Sequence, residues 1–138
     1  MSAELDQRRL AVVREHMESE NVQDFDRTIA TFAAPRYELM ATGEVFDGED
    51  EVRGYFARSR ADFPDQRNEN SVLRSVSDGV VVEFDLLGTH AALGTSFRSR
   101  MLAMFLFEDG GDGIVCERVY FDTASIRQQL LGATADPA

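Results

Sequence analysis

Residues 67–121 restrict the fold more than any other part of the sequence, because they contain four extended segments in close succession. The segments are 67–76, 80–90, 97–107 and a last strand that runs through Phe121. The sequences between them, Ser77-Asp78-Gly79 and the acidic stretch EDGGDG, are typical of hairpin turns. Strands so closely spaced pair with their neighbours, so this half of the chain predicts one antiparallel sheet.

The first half of the chain has the 3.6-residue period of helices instead. A first helix is expected over residues 4–19, with His16 on its surface or half-buried. Asn21 is expected to cap a second helix that ends at Pro35, and a hairpin follows over 36–46. A third helix is expected to open with the acidic residues of DGEDE, where the helix dipole favours them, and to end at Pro64.

Helices followed by consecutive strands indicate an α+β domain with its helices on one face of an antiparallel sheet. A strongly twisted sheet wrapped around N-terminal helices forms a cone, and the open end of the cone is lined by strand ends. At 138 residues the chain is expected to form a single domain over 1–138. Its core spans about 8–132, and the ends at 1–4 and 133–138 are expected to be flexible.

The net charge of the chain limits the classes of partner that it can bind. A net charge of −11 argues against binding to nucleic acid or to anionic membranes, since both require clustered basic residues. Cys116 is the only cysteine, which excludes an intramolecular disulfide and fits a reducing compartment. No apolar leader or membrane-spanning run occurs, so a cytoplasmic location is expected.

The sequence carries no signature of a bound cofactor or metal. EDGGDG lacks the alternating ligands and the distal glutamate of a calcium loop. A Gly-x-Ser-x-Gly elbow, a phosphate-binding glycine loop and a His/Cys cluster with metal spacing are also missing from the sequence. We therefore expect neither a cofactor nor a metal.

Residues 115–132, VCERVYFDTASIRQQLLG, combine the last strand with an aspartate and a C-terminal helix. Gly132 stands where a helix often ends on a glycine. Asp122 has two possible uses at this junction. It can accept hydrogen bonds from the first N–H groups of the helix, or it can exchange protons at the mouth of a curved sheet.

The order of elements, the Gly88-Thr89-His90 ending of the long strand and the segment ERVYFDTASIRQQLLG together resemble the SnoaL-like polyketide cyclase family. The resemblance covers roughly residues 8–132. It implies the cone-shaped roll of nuclear transport factor 2-like and cystatin-like proteins, an apolar pocket and frequent homodimers. It also implies that Asp122 is the general acid/base of a cofactor-independent aldol ring closure, with His90 beside it.

Strand parity and side-chain type suggest further pocket residues. Period two places His90 on the core side of its strand, unless Gly88 introduces a bulge. A structural role for His90, held by one backbone carbonyl, is the alternative. The residues expected to bind substrate are Tyr37, Tyr55, Phe56, Arg118 and Tyr120.

Three functions remain open at this point. The first is a cofactor-independent lyase or isomerase that acts on a small apolar carbonyl compound. The second is a small-molecule binding protein, and the third is a dimeric interaction module. A homodimer through the outer sheet face is expected because Met101–Phe107 are apolar at every position. The alternative is that helix 123–131 covers this face within one chain.

Overall fold

A computed structural model describes residues 2–132 and shows a six-stranded sheet with four helices. The helices are α1 (Ala3–Asn21), α2 (Phe25–Ala30), α3 (Glu49–Asp62) and α4 (Thr123–Leu131). The strands are β1 (Arg36–Leu39), β2 (Glu44–Asp47), β3 (Arg67–Val76), β4 (Gly79–Thr89), β5 (Ser96–Phe107) and β6 (Ile114–Tyr120). The predicted α+β class is confirmed. Of the ends predicted to be flexible, 1–4 and 133–138, Met1 and residues 133–138 lie outside the described residues, whereas Ala3 and Glu4 belong to α1.

The strand order is β2-β1-β6-β5-β4-β3, so the last strand in sequence lies inside the sheet. The hairpins β3–β4, β4–β5 and β5–β6 form the predicted antiparallel meander. The early hairpin β1–β2 joins this meander through a parallel pairing of β1 with β6. This pairing places Tyr37 beside Glu117 and Glu38 beside Arg118 on adjacent strands.

The concave face of the sheet encloses the core. Alternate residues of β5 are buried, and residues of α1 pack with them into one apolar cluster. The largest side chains of this cluster with almost no exposure are Tyr37, Phe56 and Phe105. The polar groups buried with them are unusual, and they define the site described below.

A bulge in β6 decides which of its side chains face inward. Phe107 pairs with Ile114 whereas Leu106 pairs with Cys116, so Val115 is an extra residue. As a result Ile114 is buried, and Glu117 and Val119 are buried after the bulge. Arg118 and Tyr120 therefore face outward.

Several element ends differ from the sequence prediction. Helix α1 extends through Asn21, and Asp24 rather than Asn21 caps the short α2 by accepting from Arg27 N at 3.3 Å. Strand β4 ends at Thr89, so His90 lies in the following turn and not on the core side of the strand. His16 is completely buried, which corrects the expectation of a surface or half-buried position.

Helix α4 packs against the end of β5 that β6 does not cover. The Gln129 side chain bonds both backbone groups of Arg98, at 2.9 and 3.0 Å. At this end of β5, these two bonds take the place of the hydrogen bonds that a neighbouring strand would make. The outer patch of Leu102, Met104 and Leu106 lies farther along β5, and these three residues are only partly buried. No helix among residues 2–132 is long and apolar enough to cross a membrane.

Candidate active site

Helix α1 carries His16 and Glu20 one turn apart on the face that packs into the cone. Residues at this spacing lie on the same side of a helix. His16 has no exposed surface, and its ring makes edge contacts with Phe32 and Phe105 at centroid distances of 5.3 and 5.0 Å. An ionisable group in such surroundings is costly unless it has polar partners.

Three oxygen atoms surround His16 Nε2. Tyr37 Oη and Glu117 Oε1 both lie 2.9 Å from it, and Glu20 Oε2 lies 3.1 Å from it. The parallel register of β1 and β6 brings Tyr37 and Glu117 together, and α1 supplies the other two groups. We call His16, Glu20, Tyr37 and Glu117 the inner cluster.

The other ring nitrogen of His16 fixes its protonation pattern. Nδ1 lies 2.8 Å from Thr31 Oγ1, and this hydroxyl donates to Thr28 O at 2.6 Å. Because the only hydroxyl proton of Thr31 is used in that bond, Nδ1 must donate its own proton to Oγ1. The orientation of the imidazole is therefore fixed, and Nε2 is the atom that exchanges protons with the inner cluster.

Arg60 of α3 adds a second positive group behind Glu20. Its Nη2 lies 3.5 Å from Glu20 Oε1, and its side chain is 8% exposed. The Tyr37 hydroxyl donates to the other oxygen of Glu20 at 3.3 Å. Glu20 is thus contacted on both oxygens by groups that favour its ionised form.

Glu117 is in a different environment. It is 5% exposed, and its Oε1 makes no well-aligned hydrogen bond although Nε2 is close. Arg60 is placed against Glu20, so Glu117 depends on His16 for a positive partner within the described part of the chain. A buried carboxylate that is poorly hydrogen-bonded holds its proton more strongly.

The pKa values of the cluster follow from these contacts. Burial opposes the charge of His16, but the carboxylates of Glu117 and Glu20 beside its Nε2 raise its pKa to about 9. Burial also opposes ionisation of Glu20, yet His16 and Arg60 lower the pKa of Glu20 below its usual value. For Glu117 burial prevails, and its pKa is raised. Burial and the two carboxylates raise the pKa of Tyr37 well above 10.

Both carboxylates of the cluster reach an interior cavity of about 40 Å³. Tyr37, Tyr55, Gln66 and Asn68 also line it. A water molecule in the liquid occupies about 30 Å³, so the cavity holds one or two waters or the end of a larger molecule. Asn68 contributes a side-chain amide to this lining, and its Nδ2 donates to Met17 O at 3.0 Å.

An outer groove of about 370 Å³ adjoins this cavity between α1 and β3. Met17 and Asn68 line both spaces. Asn21 fastens β3 to α1 here, because it bonds both backbone groups of Asn68 at 2.8 and 3.0 Å. Met17 and Asn68 therefore mark the boundary between the interior cavity and the outer groove.

His16, Glu20 and Glu117 also have the donor types of a metal site, and their donor atoms lie within 4.8 Å of one another. Arg60 and the protonated His16 balance the two carboxylates. Protons are therefore sufficient to complete this cluster, and we interpret it as a proton-sharing site.

The structure places the predicted pair Asp122 and His90 outside this site. Asp122 is exposed and caps α4, since its Oδ1 accepts from Ser125 N at 3.0 Å. His90 Nδ1 accepts from the N–H groups of Ala92 and Leu93 at 3.2 and 3.1 Å, which closes the turn after β4. Neither residue lines the interior cavity. Their part in acid/base chemistry stays a prediction.

The residues predicted to bind substrate are divided between two faces. Tyr37 and Tyr55 line the interior cavity. Phe56 is buried beside them in the core, stacked on Phe25 at 4.6 Å. Arg118 instead pairs with Glu38 at 2.7 Å on the outer side, and Tyr120 is 41% exposed. The expected inward position of these last two is wrong because the bulge at Val115 reverses the strand parity.

Sequence reasoning missed Glu20 and Glu117. One signal was available for Glu20, because a histidine and a glutamate four residues apart share a helix face with Val13 and Met17. Glu117 lies in the strand segment Val-Cys-Glu-Arg-Val, where its facing depends on the bulge. The sequence pattern alone does not locate that bulge.

The domain model described as "SnoaL-like domain" matches residues 13–114. No curated protein has a sequence that significantly matches this chain. Among solved structures, a phenazine biosynthesis-related protein from Pseudomonas aeruginosa is similar, with a TM-score of 0.81, 21% identity and coverage of 98% of this chain and 88% of that one.

Two other similar structures have related folds. One is a candidate polyketide cyclase from Xanthomonas campestris pv. campestris, with a TM-score of 0.81, 20% identity and coverage of 91% and 98% of the two chains. The other has a ketosteroid isomerase-like fold, comes from Catenulispora acidiphila and was solved with trimethylamine. Its TM-score is 0.77 at 20% identity, and the match covers 86% of this chain and 90% of that one. These structures share the curved-sheet fold, and the match over residues 13–114 shows that the chain belongs to the SnoaL-like domain family.

Proposed function

We propose that the protein catalyses cofactor-independent proton transfer on a small carbonyl compound, as in an isomerisation or an aldol cyclisation. One observation carries the proposal. Two carboxylates that reach the interior cavity, Glu20 and Glu117, meet at the same buried imidazole, within 3.1 Å of His16 Nε2. Two acids whose surroundings move their pKa values in opposite directions are suited to act as a base and an acid.

The surroundings of the two glutamates indicate which of them is the base and which is the acid. Glu20 is held ionised by Tyr37 and Arg60, so it is the base that removes a proton from the carbon next to the carbonyl. The electrons of that C–H bond form the C=C bond of an enol, while Glu117 takes the Nε2 proton of His16 and delivers it to the carbonyl oxygen. In an isomerisation, Glu20 returns its proton to a different carbon while the enol O–H proton goes back to Glu117 and the carbonyl re-forms. In a ring closure, the enol carbon attacks a second carbonyl, whose oxygen takes the proton held by Glu20, while the enol O–H proton goes back to Glu117.

His16 is a positioning residue in this scheme. It has no exposed surface and lies behind the carboxylates, so it does not contact the substrate. Its positive charge allows two carboxylates to remain close, and its Nε2 can pass a proton between them. Tyr37 extends the same network to the cavity wall.

The volumes of the interior cavity and of the outer groove limit the size of the substrate. The interior cavity of about 40 Å³ accepts only the reacting end of a molecule, so the remainder must lie in the outer groove of about 370 Å³. The carbonyl therefore has to enter past Asn68, which lines both. Binding of a small molecule without catalysis is the second candidate, supported by the same two spaces.

A β,γ-unsaturated cyclic ketone such as cyclohex-3-enone is a suitable probe, because its isomerisation gives a conjugated enone that absorbs in the ultraviolet. Glu20→Gln and Glu117→Gln should each lower the rate by roughly 10²–10⁴-fold, the usual contribution of a positioned acid or base. Asp122→Asn, which keeps the helix cap, is the matched control and should retain activity.

Two results would reject the assignment. Loss of activity in Asp122→Asn with full activity in the two glutamine variants would move the chemistry to the pair implied by the family resemblance. Saturable binding of the probe without proton exchange in D₂O would support the binding protein instead.

A further inference from the structure

A second pocket lies outside the cone, between α4 and the turn that follows β4. This α4 groove has a volume of about 290 Å³ and is lined by His90, Leu93, Phe121, Ile126, Arg127 and Leu130, among others. Its volume is at the lower end of the range for small-ligand sites. None of the residues of the inner cluster lines it.

The groove is apolar, and it stays open on the surface. Leu93 is 50% exposed and Leu131 is 47% exposed on its two sides. They come from the turn after β4 and from the end of α4, and Thr95 Oγ1 joins these segments by donating to Leu130 O at 2.7 Å. The walls of the groove are therefore held together by a specific contact.

The polar side chains of the α4 groove offer hydrogen-bond donors. His90 Nδ1 accepts two backbone N–H groups, so the ring proton of the neutral imidazole must lie on Nε2. Nε2 has no hydrogen-bond partner in the described part of the chain, and it is therefore a donor available to a ligand. The geometry of the turn sets this tautomer.

Arg127 supplies the positive charge. It makes no ion pair within residues 2–132, whereas most arginines of the chain pair with a carboxylate. No aspartate or glutamate lines the groove, although the chain contains 25 acidic residues. An unpaired guanidinium beside a neutral N–H donor is complementary to a carboxylate.

We propose that the α4 groove binds an amphipathic monocarboxylic acid of about the size of decanoic acid. Its alkyl part packs against Leu93, Ile126 and Leu130, and its carboxylate accepts hydrogen bonds from Arg127 and from His90 Nε2. This site is independent of the proposed catalysis, because it shares no residue with the interior cavity.

The test uses the full chain and three ligands of equal chain length: decanoate, decan-1-ol and decyltrimethylammonium. Isothermal titration calorimetry should show one decanoate per chain, with weaker binding of the alcohol and of the cation. Arg127→Gln should weaken decanoate binding by about fivefold, the upper range for an exposed ion pair. Arg58→Gln, at an exposed arginine on α3 that lines neither groove, should change nothing.

Nuclear magnetic resonance locates the ligand, because the chain has only two histidines. Decanoate should shift the ring signals of His90 and leave those of His16 unchanged. The proposal is overturned if decanoate does not bind up to millimolar concentration, or if decan-1-ol binds equally well. It is also overturned if His16 responds instead of His90, or if Arg127→Gln binds decanoate as tightly as the wild type.

Discussion

The buried histidine makes a defined contribution to stability that depends on pH. The pKa of His16 is raised from 6.5 to about 9 in the folded chain. Between these two pH values the folded chain binds more protons than the unfolded chain, so stability must fall as pH rises. A tenfold change in proton affinity is worth about 1.4 kcal/mol, which gives a loss of about 3 kcal/mol across the window.

The pKa values of three other groups determine whether they add to this slope. The pKa of Glu117 is also raised, so any proton it holds above pH 6.5 changes stability in the same direction. Glu20, with a lowered pKa, is ionised in both states and contributes no slope there. Burial raises the pKa of the Cys116 thiol from 9 to about 11, which reduces stability further only above the window.

Urea unfolding followed by circular dichroism at pH 6, 7, 8 and 9 measures this slope. Glu117→Gln removes one of the two carboxylates that raise the pKa of His16 and should flatten the dependence. His90→Gln is the matched control, because the other histidine lies outside the cluster, and it should keep the wild-type slope. A wild-type stability that does not change between pH 6.5 and 9 would refute the reasoning.

Three further predictions address separate parts of the molecule. Tyr37→Phe removes a hydroxyl placed 2.9 Å from His16 Nε2 and should destabilise the fold by about 1–3 kcal/mol in urea unfolding, since a buried partner is left unsatisfied; an unchanged midpoint would contradict this contact. Asp122→Ala should cost about 0.5–2 kcal/mol through loss of the α4 cap, whereas Asp122→Asn should cost little; equal losses would argue against capping. The outer patch predicts a homodimer, so sedimentation should give about twice the 15.4 kDa chain mass and Met104→Glu should give the monomer; a wild-type mass near 15 kDa would reject the dimer.

Periodicity was sufficient to predict most of the elements. The four strands after residue 66, the early hairpin and α4 with Asp122 and Gly132 at its ends all lie close to their predicted ranges. Local chemistry determines these features, because caps, turns and apolar spacing act over only a few residues. The family resemblance added the curvature of the sheet, which a helix and strand pattern does not contain.

The positions of the site residues depend on strand pairing, a bulge and packing between parts of the chain that are distant in sequence. The parallel pairing of β1 with β6 places Tyr37 beside Glu117, although 80 residues separate them. One extra residue at Val115 then turns Glu117 inward and Arg118 outward. A strand pattern read with strict period two selects the wrong face after such a bulge. The helix pattern alone does not reveal the complete burial of His16, because that burial comes from packing against Phe32 and Phe105.

The protonation state of His16 tests the central claim most directly. Two-dimensional ¹H–¹⁵N correlation spectra of the histidine rings, recorded from pH 5 to 10, report Nδ1 and Nε2 separately. The proton-sharing cluster predicts that both nitrogens of His16 carry protons at pH 7 and that the ring titrates near pH 9. A His16 ring that is neutral at pH 7, or that titrates near 6.5, would contradict the account.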